Sequence, residues 1–228
     1  MERGQVNWRS RVRLVDEVAE ELRERIYSGD YALGTKLRQE QLADDLQVSR
    51  TPLREALRVL ESEGLLHSEP GRGVRVVPAD INKVLAAYQL REVIDGLAAR
   101  LAAESPESGV KAALTDRLDA QRAVLDPWSP GEYTRENVGF HLTLIELSGN
   151  EYLAAEAPIV RMTSQVFTPV ALVEPPYAKL AVAQHEEIVV TIIAGVGAVA
   201  EGLARAHIRS TMARIVRRQS NDQPPAAA

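Results

Sequence analysis

The feature that most constrains the fold is a change of hydrophobic pattern near Pro78. Before this residue, short helical segments precede a stretch of alternating polar and apolar residues. After it, almost every segment has the period of an α-helix. A length of 228 residues suits two domains of about 100 to 150 residues each. We therefore predict a mainly α-helical chain with a small N-terminal domain at 1–78 and an all-α domain at 79–228.

The first domain contains the pattern of a helix-turn-helix. Residues 14–28 carry apolar side chains at every fourth position, which predicts a helix that ends at Gly29. A second helix is predicted over Gln39–Leu46. After a turn at 47–49, a third helix starts at Ser49 or Thr51, either of which can cap it. Two helices joined by so short a turn are typical of a module whose second helix enters the major groove of DNA.

The third helix has two distinct faces. One is apolar, and the neighbouring one carries an arginine at every fourth position: Arg50, Arg54 and Arg58. Guanidinium groups fit guanine edges and phosphates bidentately, so this row suits DNA binding. Helical spacing alone equally allows a solvated surface on which the arginines pair with Glu55, Glu61 and Glu63.

A hairpin predicted at 65–77 favours the first interpretation. Its turn, Pro70-Gly71-Arg72-Gly73, has a basic tip, and its strands carry His67 and Arg75. A two-stranded ribbon after a recognition helix is a winged helix-turn-helix. Glycines beside the basic tip allow the backbone to approach a minor groove or phosphates closely.

Charge alone does not identify a DNA-binding protein here. The net charge is -5, and acidic residues outnumber basic ones on both sides of Pro78. Attraction to DNA must therefore come from a local basic patch. Arg9, Arg11 and Arg13, which precede the first predicted helix, are candidates for extending that patch along the DNA backbone.

Composition excludes several other classes of protein. Because the chain is 45% apolar and 26% charged, it is neither disordered nor fibrous. It contains no cysteine, which excludes disulfides and thiolate metal sites and suits a reducing compartment. The longest apolar run, 188–200, is too short to span a bilayer, and the first residues lack the pattern of a secretory signal. We expect a cytoplasmic protein without a membrane partner.

The second domain is predicted to be an antiparallel bundle of six helical segments, in which Pro158 kinks or splits the fourth. The segments lie near 81–104, 109–125, 131–148, 151–168, 176–195 and 198–218.

Three of the four histidines lie on apolar faces of this predicted bundle: His141, His185 and His207. Neutral imidazole is a common ligand of divalent transition metals, so three imidazoles from separate helices can form a metal site with an open position. The alternative is that each is a half-buried histidine bonded to a nearby carbonyl. Both interpretations fit the spacing.

A metal site of this kind also raises the alternative of a metal-dependent hydrolase or lyase. Such chemistry needs a general base near the metal. Glu146 and Glu186 are close in sequence, but their helical offsets turn them away from the histidine faces. No nucleophile elbow, phosphate loop or HExxH motif is present. The sequence therefore favours a protein that is not an enzyme.

Several runs resemble the GntR family of bacterial transcriptional regulators. They are GTKL at 34–37, LADDLQVSRTPLREAL at 42–57, EGL at 63–65 and PGRG at 70–73. The resemblance implies that Arg50 and Arg54 contact bases and phosphates, that Gly73 belongs to the wing tip, and that Arg38 and Thr51 add backbone contacts. With these, we predict a DNA-binding set that also contains Ser49, Arg58, His67 and Arg72.

The remainder resembles the FCD effector domain of the FadR branch of that family, in its six-helix, VanR-like subset. The resemblance implies a divalent metal, with zinc, nickel and manganese as candidates, held by Asn137, His141, His185 and His207. Asn137 stands where an aspartate is frequent, and its neutral amide is the weaker ligand. Arg91 matches a position that holds an anionic effector, although it also has the spacing of a surface pair with Asp95.

Together these resemblances imply a metabolite-responsive transcriptional regulator, most often a repressor. Such a protein binds a palindromic operator as a homodimer, and a small organic acid alters the placement of its two winged modules. A repressor that senses only metal or pH is a variant of the same hypothesis. Metal analysis combined with operator binding in the presence of candidate acids would separate the two.

Overall fold

A computed structural model describes the chain over residues 8–69, 73–78, 80–105, 109–168 and 173–222. Contacts divide it into two compact units, Met1–Asp80 and Ile81–Ala228. None of the helices in these ranges is long and apolar enough to cross a membrane.

The first unit combines three helices with a small antiparallel sheet. Its elements are, in order, α1 (Trp8–Ser28), β1 (Lys36–Leu37), α2 (Gln39–Asp45), α3 (Arg50–Ser62), β2 (Leu66–Glu69) and β3 (Gly73–Val76). The strand order is β1-β3-β2, and His67 lies opposite Arg75. The hairpin agrees with the prediction, but β1 was missed because two residues are too short to show alternation.

The apolar faces predicted for α1 and α3 form the core of this unit. Val18, Leu22 and Ile26 of α1 are buried, as are the apolar positions of α3, whereas Leu14 is half-buried. Helix α1 begins at Trp8, earlier than predicted, because its first turns have no apolar stripe that marks them as helical. Ser49 is the residue that precedes α3, but its side chain makes no capping hydrogen bond, contrary to the sequence expectation.

The turn between α2 and α3 depends on one residue with left-handed backbone. Gln47 has φ of 52°, and it is the only non-glycine residue with positive φ among those described. The N–H of Val48 donates to the carbonyl of Ala43 at 3.0 Å, which closes the turn. This conformation directs the chain from α2 into α3 within four residues.

The second unit consists of helices in the part of the chain that is described. They are α4 (Ile81–Glu104), α5 (Gly109–Ala123), α6 (Pro130–Leu147), α7 (Glu151–Ala155), α8 (Ala157–Arg161), α9 (Pro175–Ile193) and α10 (Gly197–Asp222). A π-helical segment, Met162–Val166, follows α8 directly. Pro158 lies in the first turn of α8, so the fourth predicted segment is split, as expected. Seven described α-helices therefore replace the six predicted segments.

Small residues bring the long helices of this unit close together. Helix α4 packs along α10, and α5 packs against α6 and α9. Ala98, Ala99 and Ala102 of α4 are buried in the same apolar cluster as Phe140 and Ile188. This cluster borders the buried polar side chains that form the candidate site.

Candidate metal, effector and nucleic-acid sites

Three helices bring three imidazoles together inside the second unit. His141 of α6, His185 of α9 and His207 of α10 are 2%, 0% and 5% exposed. Each offers a ring nitrogen, and these three atoms lie within 4.8 Å of one another. The Nε2 atoms of His185 and His207 are 3.1 Å apart. The structure thus brings together the three histidines that the apolar faces indicated.

The Nδ1 atoms of two of these rings are held by glutamine side chains. Nδ1 of His185 lies 2.8 Å from Oε1 of Gln121, and Nδ1 of His207 lies 2.9 Å from Oε1 of Gln184. Gln121 uses its Nε2 to donate to the carbonyl of Glu136 at 3.2 Å, so its Oε1 is the atom that accepts from His185. His185 therefore carries its proton on Nδ1 and presents a lone pair at Nε2.

The Nε2 atoms of His185 and His207, 3.1 Å apart, lie close enough together for one cation to contact both. Nδ1 of His141 lies 2.9 Å from Oδ2 of Asp95. Nε2 of His141 and Oδ1 of Asp95 have no hydrogen-bond partner within the described ranges. Buried polar atoms of this kind normally have a partner. The donor set fits a divalent transition metal.

Burial keeps all three rings neutral. It lowers the pKa of His207 to about 3, with the charge of Arg91 acting in the same direction. The pKa of His185 is lowered well below its ordinary value, and that of His141 is also lowered. Burial alone would raise the pKa of Asp95, but Arg91 and His141 outweigh it and lower this pKa. A neutral ring beside an ionised carboxylate suits metal binding.

Arg91 and Asp95 lie inside the bundle, which contradicts the surface-pair alternative. They are 2% and 1% exposed, with Nε of Arg91 3.4 Å from Oδ2 of Asp95. Nη1 of Arg91 donates to Oγ1 of Thr163 at 2.9 Å and to Oγ of Ser164 at 2.7 Å. Sequence reasoning missed Asp95 as a site residue, because an Arg–Asp pair at four-residue spacing is usually a feature of exposed helices.

A small cavity adjoins this cluster. Its volume is about 30 Å³, enough for one or two water molecules. An organic acid therefore needs an outward shift of some lining side chains. Arg91, His141, His207 and the half-buried Asn137 share its wall with hydroxyl-bearing and apolar residues. These are Tyr88, Tyr133, Thr134, Ser164, Thr168, Val173, Tyr177, Ile208 and Thr211, with Arg214 completing the lining.

The glutamates considered as general bases lie elsewhere. Glu186 is exposed and pairs with Arg122 at 2.7 Å. Glu146 is exposed and borders a separate groove. None of the residues that line the cavity is an aspartate or a glutamate. In the described part of the chain, the cavity therefore lacks a carboxylate that could serve as a general base.

The first unit exposes the residues predicted to contact DNA. Arg38, Ser49, Arg50, Thr51, Arg54, Arg58, His67 and Gly73 all lie on the surface. Arg72 lies outside the described residues. Arg50 pairs with Glu40 at 2.8 Å. Because the Arg50 side chain is 72% exposed, a phosphate can compete with Glu40 for it.

Two of the three glutamates considered as partners of the arginine row bind other groups. Glu63 accepts two hydrogen bonds from Arg23, at 2.7 and 2.9 Å. Glu61 accepts from the backbone N–H of Ser68 at 3.1 Å. Among the described residues, Arg54 and Arg58 have no ion-pair partner. Their exposed guanidinium groups are therefore available to an external anion.

Comparison with known proteins identifies both units. Residues 14–76 match the family described as bacterial regulatory proteins, gntR family, and residues 86–210 match the FCD domain. The chain belongs to the GntR family and carries an FCD domain. The resemblance noted in the sequence is thereby confirmed, as is the mainly α-helical fold class.

Curated relatives of this GntR-family protein are named as transcriptional regulators, not enzymes. An uncharacterised HTH-type regulator in an unstable DNA locus of Streptomyces ambofaciens is 31% identical over 86% of this chain and 82% of its own length. The Nta operon transcriptional regulator of Aminobacter aminovorans is 35% identical over 53% of this chain and 57% of its own. The alignments with several other relatives also cover only part of those proteins, about 60% of their length or less.

Solved structures share the fold of this GntR-family protein. The E. coli protein McbR/YncC superposes with a TM-score of 0.77 at 19% identity, over 90% of this chain and 98% of that one. A putative GntR transcriptional regulator from Rhodococcus sp. RHA1 superposes with a TM-score of 0.75 at 21% identity, over 89% of this chain and 97% of that one. At sequence identities this low, the superpositions establish the architecture only. Which ligands the protein binds must be inferred from the residues of the site.

Proposed function

We propose that this protein is a metabolite-responsive DNA-binding transcriptional regulator that acts as a repressor. Its second unit binds a divalent metal and a small carboxylate effector. One observation carries the proposal: the same chain has two exposed arginines without ion-pair partners on α3, and a buried cluster of three imidazoles next to a cavity that Arg91 lines. The first suits an operator, and the second suits a ligand that controls operator binding.

The recognition surface is the exposed face of α3 with its wing. Arg50, Arg54 and Arg58 supply guanidinium groups for guanine edges and phosphates, while Arg38, Ser49 and Thr51 contact the DNA backbone at the start of α2 and α3. His67, Arg72 and Gly73 belong to the wing. A homodimer presents two such surfaces to the halves of a palindromic operator. The relatives named gluconate operon transcriptional repressors support repression as the outcome.

Replacement of Arg54 tests the recognition surface. An operator is first selected from randomised duplexes with the full-length protein, and binding is then measured by fluorescence anisotropy. Arg54→Ala is expected to weaken specific binding by about 1–3 kcal/mol. Arg135→Ala removes the same charge from an exposed site in the second unit, and is expected to leave affinity unchanged. Equal affinities for wild-type protein and Arg54→Ala would contradict this assignment.

The metal site uses the Nε2 atoms of His185 and His207 and a ring nitrogen of His141, with the Asn137 amide oxygen as a weaker ligand. Zinc, nickel and manganese are the candidate ions. When bound, the metal supplies a positive centre for an anionic oxygen. Arg91 holds the carboxylate of the effector through its guanidinium group, while its pairing with Asp95 keeps the side chain oriented. The effector is a small organic acid.

Metal content provides the direct test of this site. Purified full-length protein is expected to hold one metal ion per chain, measured by plasma mass spectrometry after dialysis. His185→Gln and His141→Gln should each lose that metal while retaining the helical circular dichroism signal. His67→Gln changes the exposed histidine of the other unit and should retain it. Wild-type protein without metal, or undiminished metal in both buried variants, would contradict the proposal.

A further inference from the structure

We infer that Arg214 forms a second anion-binding position in the cavity, so that the effector carries two negative groups. This inference rests on the proposed function, in which one carboxylate binds beside the histidines and Arg91. It specifies the chemical class of the acid: a short dicarboxylate, preferably hydroxylated.

The first observation is an unsatisfied donor. Arg214, on α10, lines the same cavity as Arg91, His141 and His207. Its Nε is buried and has no hydrogen-bond acceptor among the described residues. A buried guanidinium N–H normally has an acceptor, and a ligand oxygen in the cavity can provide one.

The second observation is the way in which Arg214 is held. Its guanidinium carbon lies 3.3 Å from the centre of the Tyr177 ring. The Tyr177 hydroxyl in turn lies 2.7 Å from Oγ1 of Thr211. A cation–π contact does not use the N–H donors that lie at the edge of the guanidinium group. The aromatic ring thus supports the charge and leaves the donors available to a carboxylate.

The third observation is the charge balance around the cavity. Its described lining contains two arginines and no acidic residue. Asp95 lies next to Arg91 and compensates that charge, whereas no described carboxylate forms an ion pair with Arg214. A monocarboxylate bound beside Arg91 would place no negative charge next to the guanidinium group of Arg214.

The space between the two cations is bordered by hydroxyl groups. Thr134, Ser164, Thr168 and Thr211 line it together with the three tyrosines. Hydroxyls donate and accept hydrogen bonds, so they suit a ligand that carries hydroxyl groups between its two ends. This is why we prefer hydroxylated dicarboxylates within the class.

Matched pairs of acids test the inference by isothermal titration calorimetry on the metal-loaded, full-length protein. The pairs are butyrate and succinate, valerate and glutarate, and 3-hydroxybutyrate and malate. Within each pair, a carboxylate replaces a terminal methyl group. We expect at least one dicarboxylate to bind about tenfold or more tightly than its partner. Arg214→Gln should reduce that affinity to the level of the monocarboxylate and leave monocarboxylate binding unchanged.

Arg217→Gln is the matched control, because it removes an exposed arginine from the same helix and should preserve the preference. If monocarboxylates bind and Arg91→Gln abolishes their binding, but no dicarboxylate is preferred, the inference fails and the proposed function stands. The inference also fails if Arg214→Gln keeps the preference. If none of the six acids binds wild-type protein, both the inference and the effector part of the proposed function are contradicted.

Discussion

A glutamine side chain determines which nitrogen His185 offers. Gln121 is anchored to the carbonyl of Glu136, so its oxygen faces Nδ1 of His185 and leaves the Nε2 lone pair free. Oε1 of Gln184 lies 2.9 Å from Nδ1 of His207. The histidines could be found from their apolar helical faces. Gln121 and Asp95 could not, since an amide or a carboxylate on a helix is usually exposed and only tertiary packing shows what it contacts.

Removal of the Gln121 amide should weaken metal binding without unfolding the protein. We expect Gln121→Leu to lower metal affinity about 10- to 100-fold, because His185 loses the acceptor that fixes its tautomer. Gln121→Glu, which keeps an acceptor oxygen, should restore most of the affinity. Competition with a chromophoric chelator measures both variants. Equal affinities for wild type and Gln121→Leu, or equal losses in Leu and Glu variants, would contradict this positioning role.

The buried histidines make the metal-free protein sensitive to acid. Unfolded His207 binds a proton near its ordinary pKa of 6.5, whereas the folded residue has a pKa of about 3. Between these values the unfolded state binds more protons, so the free energy of unfolding falls as pH decreases. The loss is about 1.4 kcal/mol per pH unit for this residue. The pKa of Asp95 is lowered from its ordinary value of 3.8, so this residue reduces the free energy of unfolding only when the pH falls below that value.

Urea unfolding of chelated protein between pH 7.5 and 5 measures this dependence. In His207→Gln, the free energy of unfolding should depend less steeply on pH. The difference corresponds to about one bound proton at the acid end of the range. His67→Gln changes a residue of the first unit. It should leave the pH dependence of unfolding of the second unit unchanged. Identical slopes for wild type and His207→Gln would show that His207 is not buried in its neutral form.

At the scale of elements, the helix-turn-helix was largely predictable from the sequence. The apolar arc of α3 and the position of the turn follow from spacing, because burial of one face dictates periodicity. The left-handed backbone at Gln47 does not follow, since sequence gives a strong signal for that conformation only where glycine occurs. The sequence likewise did not indicate the π-helical segment after Pro158, in which Thr163 and Ser164 accept hydrogen bonds from Arg91.

Substitutions at Gln47 should therefore have opposite effects on stability. Gln47→Gly relieves the steric cost of φ of 52°, and is expected to raise the free energy of unfolding by up to about 1 kcal/mol. Gln47→Val places a β-branched side chain in that conformation and should lower it by about 1 kcal/mol or more. Chemical denaturation of the full-length variants measures both changes. Destabilisation by glycine together with tolerance of valine would contradict the described turn.

For the whole molecule, the arginines of α3 act against an overall negative charge of -5. DNA attraction must arise from the local patch, because the remaining surface repels a polyanion. This placement of charge also explains why total composition did not indicate a nucleic-acid-binding protein. The change of pattern near Pro78 predicts two domains, whereas the buried Arg91–Asp95 pair and the cavity beside it required the packed bundle.

Operator affinity measured with and without ligand tests the central claim most directly. The selected operator is titrated with metal-loaded, full-length protein, alone and with the acid that binds best in calorimetry. We predict sequence-selective binding that the acid changes about 5- to 150-fold, and an Arg91→Gln variant that binds operator without responding to the acid. No preference for any duplex over random competitor, or an operator affinity that bound acid leaves unchanged, would contradict the account.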